Sequence, residues 1–171
     1  MKLFMDVFSD EEILSDSYPM KEKYEGVIWE IKSRWIVKGD DNVDIGCGNA
    51  FGGAGEEEQA GGEEVVKVLD IVDTFGYEET SFDKAGFGAY FKGYMKKILE
   101  YLGKNKADRV DAFKNGGRDF FKWINANFDD LSFYTPKNYD QENHIMIAYY
   151  DGEDIAPTFC FVSDGLKFIK V

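Results

Sequence analysis

The fold is decided by residues 81–128, which read SFDKAGFGAYFKGYMKKILEYLGKNKADRVDAFKNGGRDFFKWINANF. Apolar side chains recur there every three or four residues, the spacing that places them on one face of an α-helix. The members in the first half are Phe87, Phe91, Tyr94, Ile98 and Leu102. The members in the second half are Val110, Phe113, Gly117, Phe120, Phe121, Ile124 and Phe128. We therefore expect two amphipathic helices whose apolar stripes lie in the core.

Local signals predict where each of these helices begins and ends. Thr80 and Asp83 resemble a capping box at the start of the first helix. The run Gly103–Lys106 supplies the glycine and the bases that are typical of a helix C-terminus, and Asp108 is expected to cap the second helix. Because the link between them is short, the two helices should be antiparallel neighbours. We call residues 81–128 the hairpin.

The segments on either side of the hairpin are predicted to be mainly β-structure. The expected fold class is therefore α+β, mainly β, in a single domain over residues 1–171. Residues 10–16 are interpreted as a polar connection, residues 27–32 and 34–37 as a β-hairpin, and the dipeptides Asp151-Gly152 and Asp164-Gly165 as hairpin turns. The predicted strands are Met1–Val7, Val27–Lys32, Arg34–Val37, Val65–Val72, Leu131–Tyr134, His144–Tyr150 and Thr158–Val162.

Charge is distributed unevenly along the chain. The net charge is −13, yet between residues 84 and 122 ten bases oppose four acids, so that segment carries +6 and the remainder carries −19. Such a basic helix surface is either simply solvated or a docking surface for an acidic partner. The overall acidity argues against nucleic acid and anionic lipid as partners. No apolar run approaches the roughly 20 residues that a membrane helix needs, and acids follow the N-terminus too closely for a secretory signal, so we expect a cytoplasmic protein.

Residues 39–64 differ in composition from their surroundings, with eight glycines, eight acids and no lysine or arginine. Such a segment buries too little to offset its ordering entropy, so we predict a long mobile loop. Its oxygen-bearing side chains resemble part of an EF-hand, but Ile45 and Phe51 stand where that loop needs glycine and glutamate. A solvated acidic loop and a weak calcium site of about 10⁻⁴–10⁻³ M both remain open. The candidate calcium ligands are Asp40, Asn42, Asp44, Glu56, Glu57 and Glu58.

The sequence contains no recognisable catalytic constellation. Its single histidine, His144, has neither a second histidine nor a paired nucleophile, and it is interpreted as a structural residue. Cys47 and Cys160 form no Cys-x-x-Cys motif, which excludes a four-thiolate zinc site, and a disulfide between them is disfavoured in a reducing compartment. We predict a protein that binds partners and has no enzymatic activity and no structural metal. A reductase using Cys47 is a less favoured alternative.

Short motifs occur in order along nearly the whole chain, at Met5–Val7, Glu12–Asp16, Ile45–Ala50, Asp70–Val72, Glu79–Phe82, Tyr90–Lys96, Arg109–Val110, Ala126–Phe128 and Asp164–Leu166. Together they resemble the translationally controlled tumour protein (TCTP) family. The chain departs from that family's pattern at Phe51, where serine is usual, at Thr135–Lys137, where Gly-Glu is usual, and at Val171, where vertebrate members have cysteine. Dimerisation through that thiol is therefore not expected, and we predict a monomer.

The resemblance implies a β-tent core with a projecting helical hairpin and a long flexible loop. It also implies a cytoplasmic adaptor, open to secretion without a signal peptide, that binds calcium, stabilises microtubules, contacts other protein partners and takes part in growth and survival. Because the tubulin surface is acidic, the bases of the hairpin are the candidate tubulin-binding residues. They are Lys92, Lys96, Lys97, Lys104 and Lys106.

A second function follows from the same resemblance. The β-tent is similar to small exchange-factor-like chaperones of Rab GTPases, and Glu12 matches an acidic residue that the family uses to contact a small Ras-like GTPase. The alternative function is therefore a GTPase-binding regulator that uses the face around Glu12.

Overall fold

The structure is a computed structural model that describes residues 1–37, 66–138 and 141–170. The predicted mobile loop, residues 39–64, lies outside the described residues. The strands are β1 (Lys2–Asp6), β2 (Glu12–Ser15), β3 (Lys21–Lys23), β4 (Ile28–Lys32), β5 (Trp35–Val37), β6 (Lys67–Leu69), β7 (Glu78–Thr80), β8 (Ser132–Thr135), β9 (Met146–Tyr149), β10 (Thr158–Val162) and β11 (Leu166–Lys170). The helices are α1 (Asp70–Phe75), α2 (Lys84–Asn105) and α3 (Val110–Asn127), with 3₁₀ turns at Ala107–Arg109, Phe128–Asp130 and Ser163–Gly165.

The strands form three antiparallel sheets in the described residues. One has the order β11-β1-β2, the largest has the order β3-β4-β10-β9-β8-β7, and β5 pairs with β6. Successive side chains of β10 point to opposite faces of the large sheet, as the two-residue period of a strand requires. Phe159 and Phe161 belong to one apolar cluster and Cys160 and Val162 to the other, so both faces of this sheet are covered.

The hairpin packs on one of those faces. The stripe of α2 is buried from Phe87 to Leu102, and α3 buries Phe113, Phe120 and Ile124 against the same cluster. The opposite face of the large sheet packs against the three-stranded sheet through a second cluster that includes Phe4 and Leu14. The predicted α+β class, the antiparallel helical hairpin and the burial of its stripes are confirmed.

The cap predictions of the hairpin have mixed outcomes. The predicted capping box does not form, because Thr80 ends β7 and Asp83 is itself the N-cap of α2. The side chain of Asp83 accepts the backbone N–H of Gly86 at 2.7 Å. Asp108 does not cap α3, because it lies inside a 3₁₀ turn that ends at Arg109. That turn is closed by the backbone N–H of Arg109, which donates to the carbonyl of Lys106 at 2.9 Å. The chain therefore enters α3 without a side-chain cap.

Several β predictions are wrong, because a strand pattern does not identify the partner of a strand. Residues 27–32 and 34–37 do not form a hairpin, since β4 pairs with β3 and β10 whereas β5 pairs with β6. The strand expected over 65–72 covers only Lys67–Leu69 and is followed by α1. The polar connection at 10–16 contains β2, which pairs with β1.

The two predicted hairpin turns also differ from each other. β9 and β10 pair as expected, but residues 150–157 connect them, so Asp151-Gly152 is only part of a longer loop. Asp164-Gly165 lies in a 3₁₀ turn that takes the chain from the large sheet into the three-stranded sheet, where β11 pairs with β1.

None of the helices in the described ranges has the length and apolar character needed to span a membrane.

Candidate functional site

The bases of α2 line the side of the helix that faces away from the sheet. Lys92, Lys96 and Lys104 are exposed and lie four and eight residues apart, so they form a row along one helix face, with Glu100 between the last two. Lys106, just after the end of α2, is also exposed. Four of the five candidate tubulin-binding lysines are therefore accessible.

A second basic row lies on α3. Lys114, Arg118 and Lys122 are exposed at four-residue intervals, opposite the buried stripe of that helix. The two helices contact each other through the stacked rings of Phe91 and Phe121, whose centroids are 5.2 Å apart. Because both buried stripes face the same sheet, both basic rows point to the same solvent side, which we call the outer face.

The charge count along the chain included the bases of α3, but they were not among the candidate binding residues. The signal that identifies them is the same four-residue spacing that places the bases of α2 on one face. The outer face is therefore broader than the sequence prediction.

Lys97 differs from the other candidate lysines. Its side chain is half-buried, its ammonium donates a hydrogen bond to Oδ1 of Asn143, and it lies 4.7 Å from the ring centroid of Phe8. The ammonium is thus engaged between the hairpin and the sheets. Lys97 is placed to anchor α2 rather than to meet a partner.

The tip of the hairpin is attached to the sheets by an ion pair. Nη2 and Nε of Arg109 donate to the two carboxylate oxygens of Asp164 at 2.7 and 3.0 Å, and Nη1 donates to the carbonyl of Glu25 at 3.3 Å. The hydrogen bonds to Asp164 raise the pKa of the Arg109 guanidinium. This bidentate geometry fixes the plane of the guanidinium, so the tip of the hairpin is held at a defined position.

Glu12, the candidate GTPase-binding residue, lies on an exposed part of the three-stranded sheet. It starts β2 opposite Met5 of β1, and on the other side Met5 is opposite Lys167 of β11. Lys167 makes its ion pair with Asp10 rather than with Glu12. Two residue pairs further along, on the same face of the sheet, lie Leu3 and Ile169, the latter 44% exposed. The carboxylate of Glu12 therefore borders a sheet face with apolar side chains.

His144 is completely buried. Its Nδ1 lies 3.0 Å from the hydroxyl of Tyr94, and its backbone N–H donates to the carboxylate of Asp6 at 2.9 Å. Desolvation lowers the pKa of His144 to about 3. The thiol of Cys160 is also buried, and desolvation raises its pKa. Both groups lie inside the core, and His144 joins Tyr94 of α2 to Asp6 of β1.

The candidate calcium ligands from Asp40 to Glu58 and the thiol of Cys47 lie outside the described residues. Within residues 1–37, 66–138 and 141–170, no group of three or more histidine, cysteine, aspartate or glutamate side chains is arranged to hold a metal ion. The calcium prediction therefore rests on the sequence alone.

Comparisons with known proteins give a consistent result. The family model described as translationally controlled tumour protein matches residues 1–167. A translationally-controlled tumor protein homolog of Dictyostelium discoideum is 36% identical over 173 residues, covering 99% of each chain. A homolog of Mycosarcoma maydis is 37% identical over 171 residues, covering 100% of each.

Solved structures are similar over the same length. The translationally controlled tumor-associated protein p23fyp of Schizosaccharomyces pombe superposes with a TM-score of 0.81 at 34% identity, covering 100% of both chains. The solution structure of the translationally-controlled tumor protein of Caenorhabditis elegans has a TM-score of 0.67 at 26% identity, covering 100% of this chain and 99% of that one. The sequence comparisons and the structure comparisons therefore point to the same family.

Proposed function

Because the chain belongs to the translationally controlled tumour protein family, we propose that it is a cytoplasmic adaptor, without catalytic activity, that binds and stabilises microtubules through the outer face of the hairpin. Growth and survival roles and weak calcium binding complete the proposal. The observation that carries it is the pair of exposed basic rows on α2 and α3, set on a chain whose net charge is −13. Tubulin is proposed as the partner because the family resemblance implies it, and the charge pattern gives a physical reason for the docking site.

The buried stripes explain how one hairpin can serve both folding and binding. The apolar stripe of α2, which includes Phe87, Phe91 and Tyr94, packs against the sheet. The bases on the opposite side of the helix therefore have no role in the core. Attraction between this outer face and an acidic surface would accelerate encounter and select partners by charge, an effect that salt screens. We expect binding to weaken as ionic strength rises.

Charge reversal of the exposed row on α2 tests the proposal. The variant Lys92→Glu/Lys96→Glu/Lys104→Glu should lose most of its co-sedimentation with microtubules, since three attractive charges become repulsive. Lys97 is left unchanged, because its contacts with Asn143 and Phe8 would confuse a loss of binding with a loss of structure.

A matched control separates local from global charge. The variant Lys21→Glu/Lys67→Glu/Lys137→Glu makes the same change in net charge at exposed lysines outside the hairpin. It should pellet with microtubules like the wild type, apart from a small loss due to the greater overall negative charge. Equal pelleting by the α2 variant and the control, with both folded by circular dichroism, would reject the outer face as the docking site.

Small-GTPase binding is the second candidate function, and the position of Glu12 favours it. The exposed carboxylate beside Met5, Leu3 and Ile169 combines a charge with apolar area, as protein interfaces do. Titration of wild type and Glu12→Ala against nucleotide-free small Ras-like GTPases tests it. Weaker binding by Glu12→Ala supports this function, whereas equal binding or no binding rejects it.

Calcium binding is proposed for the acidic side chains between Asp40 and Glu58. Clustered carboxylates without a preformed loop bind calcium in the range of about 10⁻⁴–10⁻³ M. A calcium titration followed by NMR should shift the resonances of these residues and saturate only at that level. Spectra that do not change with calcium would remove the ion from the proposed function.

A further inference from the structure

A cleft of about 620 Å³ opens where the hairpin tip meets the sheets. It lies between the three-stranded sheet, the turn that joins β3 to β4, and the start of α3, and we call it the tip cleft. Its volume is within the range of about 300–1,000 Å³ that is usual for ligand sites. Of the candidate tubulin-binding lysines, Lys106 lines it, but the bases that form the two rows on α2 and α3 do not, so the tip cleft is distinct from the outer face.

One wall of the tip cleft is aromatic. Phe4 and Phe168 are paired residues on β1 and β11, with ring centroids 6.3 Å apart, and Trp29 of β4 meets the edge of Phe4 at 5.1 Å. Phe168 is 51% exposed, an unusual amount for a ring of this size. The ammonium of Lys2 lies 4.6 Å from the centroid of Phe168. This wall therefore already accommodates a cation of the chain's own, as expected for the electron-rich face of an aromatic ring.

The rim of the tip cleft carries an excess of negative charge. Arg109 and Asp164 neutralise each other at 2.7 Å. Three further carboxylates line the cleft, those of Asp16, Glu22 and Glu25, and none of them makes an ion pair with any residue that the structure describes. Against them stand only the ammoniums of Lys2 and Lys106, and Lys2 lies on the aromatic wall.

The turn that carries Glu25, and that follows the β3 strand containing Glu22, is held in an unusual conformation. Tyr24, Glu25 and Gly26 have φ angles of 55°, 58° and 80°, a left-handed run that non-glycine residues rarely adopt. The carbonyl of Glu25 accepts a hydrogen bond from Arg109 at 3.3 Å. The Arg109–Asp164 pair therefore holds both the hairpin tip and the turn, so that Glu22 and Glu25 are presented at the cleft by a fixed backbone.

We propose that the tip cleft binds a segment of a partner protein that carries a lysine or arginine next to apolar residues. The cationic side chain lies along Phe168 and Trp29 with its charge directed to Glu22 and Glu25, and the apolar neighbours cover Phe4. A net charge of −13 attracts such a partner over a distance. The chain then has two docking surfaces of opposite preference, the outer face for acidic partners and the tip cleft for basic ones.

The experiment is an NMR titration of the full chain with a hexapeptide of alternating leucine and arginine. The peptide should shift the indole N–H of Trp29 and the backbone amides of Gly26 and Phe168. Removing the two rim charges in Glu22→Gln/Glu25→Gln should weaken binding about five-fold, as the loss of two exposed ion pairs would. Phe168→Ala should weaken it about three-fold, since it removes a cation–π contact.

Two further variants test which charge the tip cleft prefers and whether the peptide binds there. Lys2→Gln should strengthen binding about two-fold, because it frees the ring of Phe168 from the chain's own cation. The control Glu79→Gln/Asp129→Asn removes two exposed charges at the far end of the large sheet and should leave the affinity unchanged.

A cleft for anionic segments would give the reverse pattern. A hexapeptide of alternating leucine and glutamate would then bind better, and Lys2→Gln would weaken binding. That result overturns the proposal, as does the absence of any shift at Trp29 or an equal loss of affinity in the rim and control variants.

Discussion

The hairpin and the sheets differ both in charge and in how far local sequence patterns predict their structure. The hairpin segment from 84 to 122 carries +6 and the remainder of the chain −19, and the two meet through apolar side chains of one cluster. Opposite charges can be kept on neighbouring surfaces because the contact between them is mainly apolar. Its charged groups in the described residues are the Arg109–Asp164 pair at the tip and the Lys97 ammonium, which lies against Asn143 and Phe8. A small chain can therefore present two electrostatically distinct faces without a second domain.

Breaking the apolar contact between the two regions should have the largest effect. Phe120 is 1% exposed and lies against Tyr24 of the β3–β4 turn, with ring centroids 5.5 Å apart, and against Phe91 of α2. Phe120→Ala should lower the free energy of unfolding by about 4 kcal/mol, measured by urea denaturation, because it leaves a cavity in the core. The exposed neighbour Lys122→Ala should change it by less than about 0.5 kcal/mol. Similar values for both variants would contradict the packing described.

Acid should weaken the contact through His144, which joins Tyr94 of the hairpin to the sheets. Its pKa is lowered to about 3 in the folded protein, while the unfolded value is about 6.5. The unfolded state therefore binds more protons below pH 6.5, and stability falls as the pH decreases from 6.5 towards 3. The contribution at pH 4.5 is up to about 3 kcal/mol. His144→Gln should flatten this part of the stability–pH curve, and equal slopes for the two proteins would contradict the buried neutral imidazole.

Two glycines of the hairpin should respond with opposite signs to substitution by alanine. A Cβ at Gly116 would overlap the carbonyl oxygen of Tyr24 and lie 2.6 Å from Cγ2 of Val27, whereas a Cβ at Gly93 would meet nothing within 4 Å. Gly116→Ala should cost about 1–3 kcal/mol by overpacking, and Gly93→Ala should stabilise the protein by about 1 kcal/mol through helix propensity. Thermal unfolding measures both, and a gain in stability at Gly116 would show that α3 does not approach the turn this closely.

The same contrast explains which parts of the fold were predictable. Helical periodicity is local, so the stripe from Phe87 to Leu102 and its burial followed from the spacing of residues alone. The pairing of β4 with β10 joins Ile28 to Val162, a contact between distant segments that no short pattern encodes. The short strand Glu12–Ser15 was missed for the same reason, since its pairing with β1 and not a pattern of its own four residues identifies it.

The candidate site was predictable to a similar degree. The row of exposed bases on α2 was predicted, because residues off a buried stripe must face water. The engagement of Lys97 depends on Asn143 and Phe8, which are distant in sequence, and the tip cleft is assembled from five separate segments. No short sequence pattern predicts either the contacts of Lys97 or the tip cleft.

Docking of the outer face on an acidic surface is tested most directly by the salt dependence of microtubule binding. Co-sedimentation is measured over a series of sodium chloride concentrations for the wild type, for Lys92→Glu/Lys96→Glu/Lys104→Glu and for the control Lys21→Glu/Lys67→Glu/Lys137→Glu. Wild type and control should bind tightly at low salt and lose affinity together as salt screens the contact, while the hairpin variant should bind weakly throughout. Binding that is insensitive to salt and equal in all three proteins would contradict docking through the outer face.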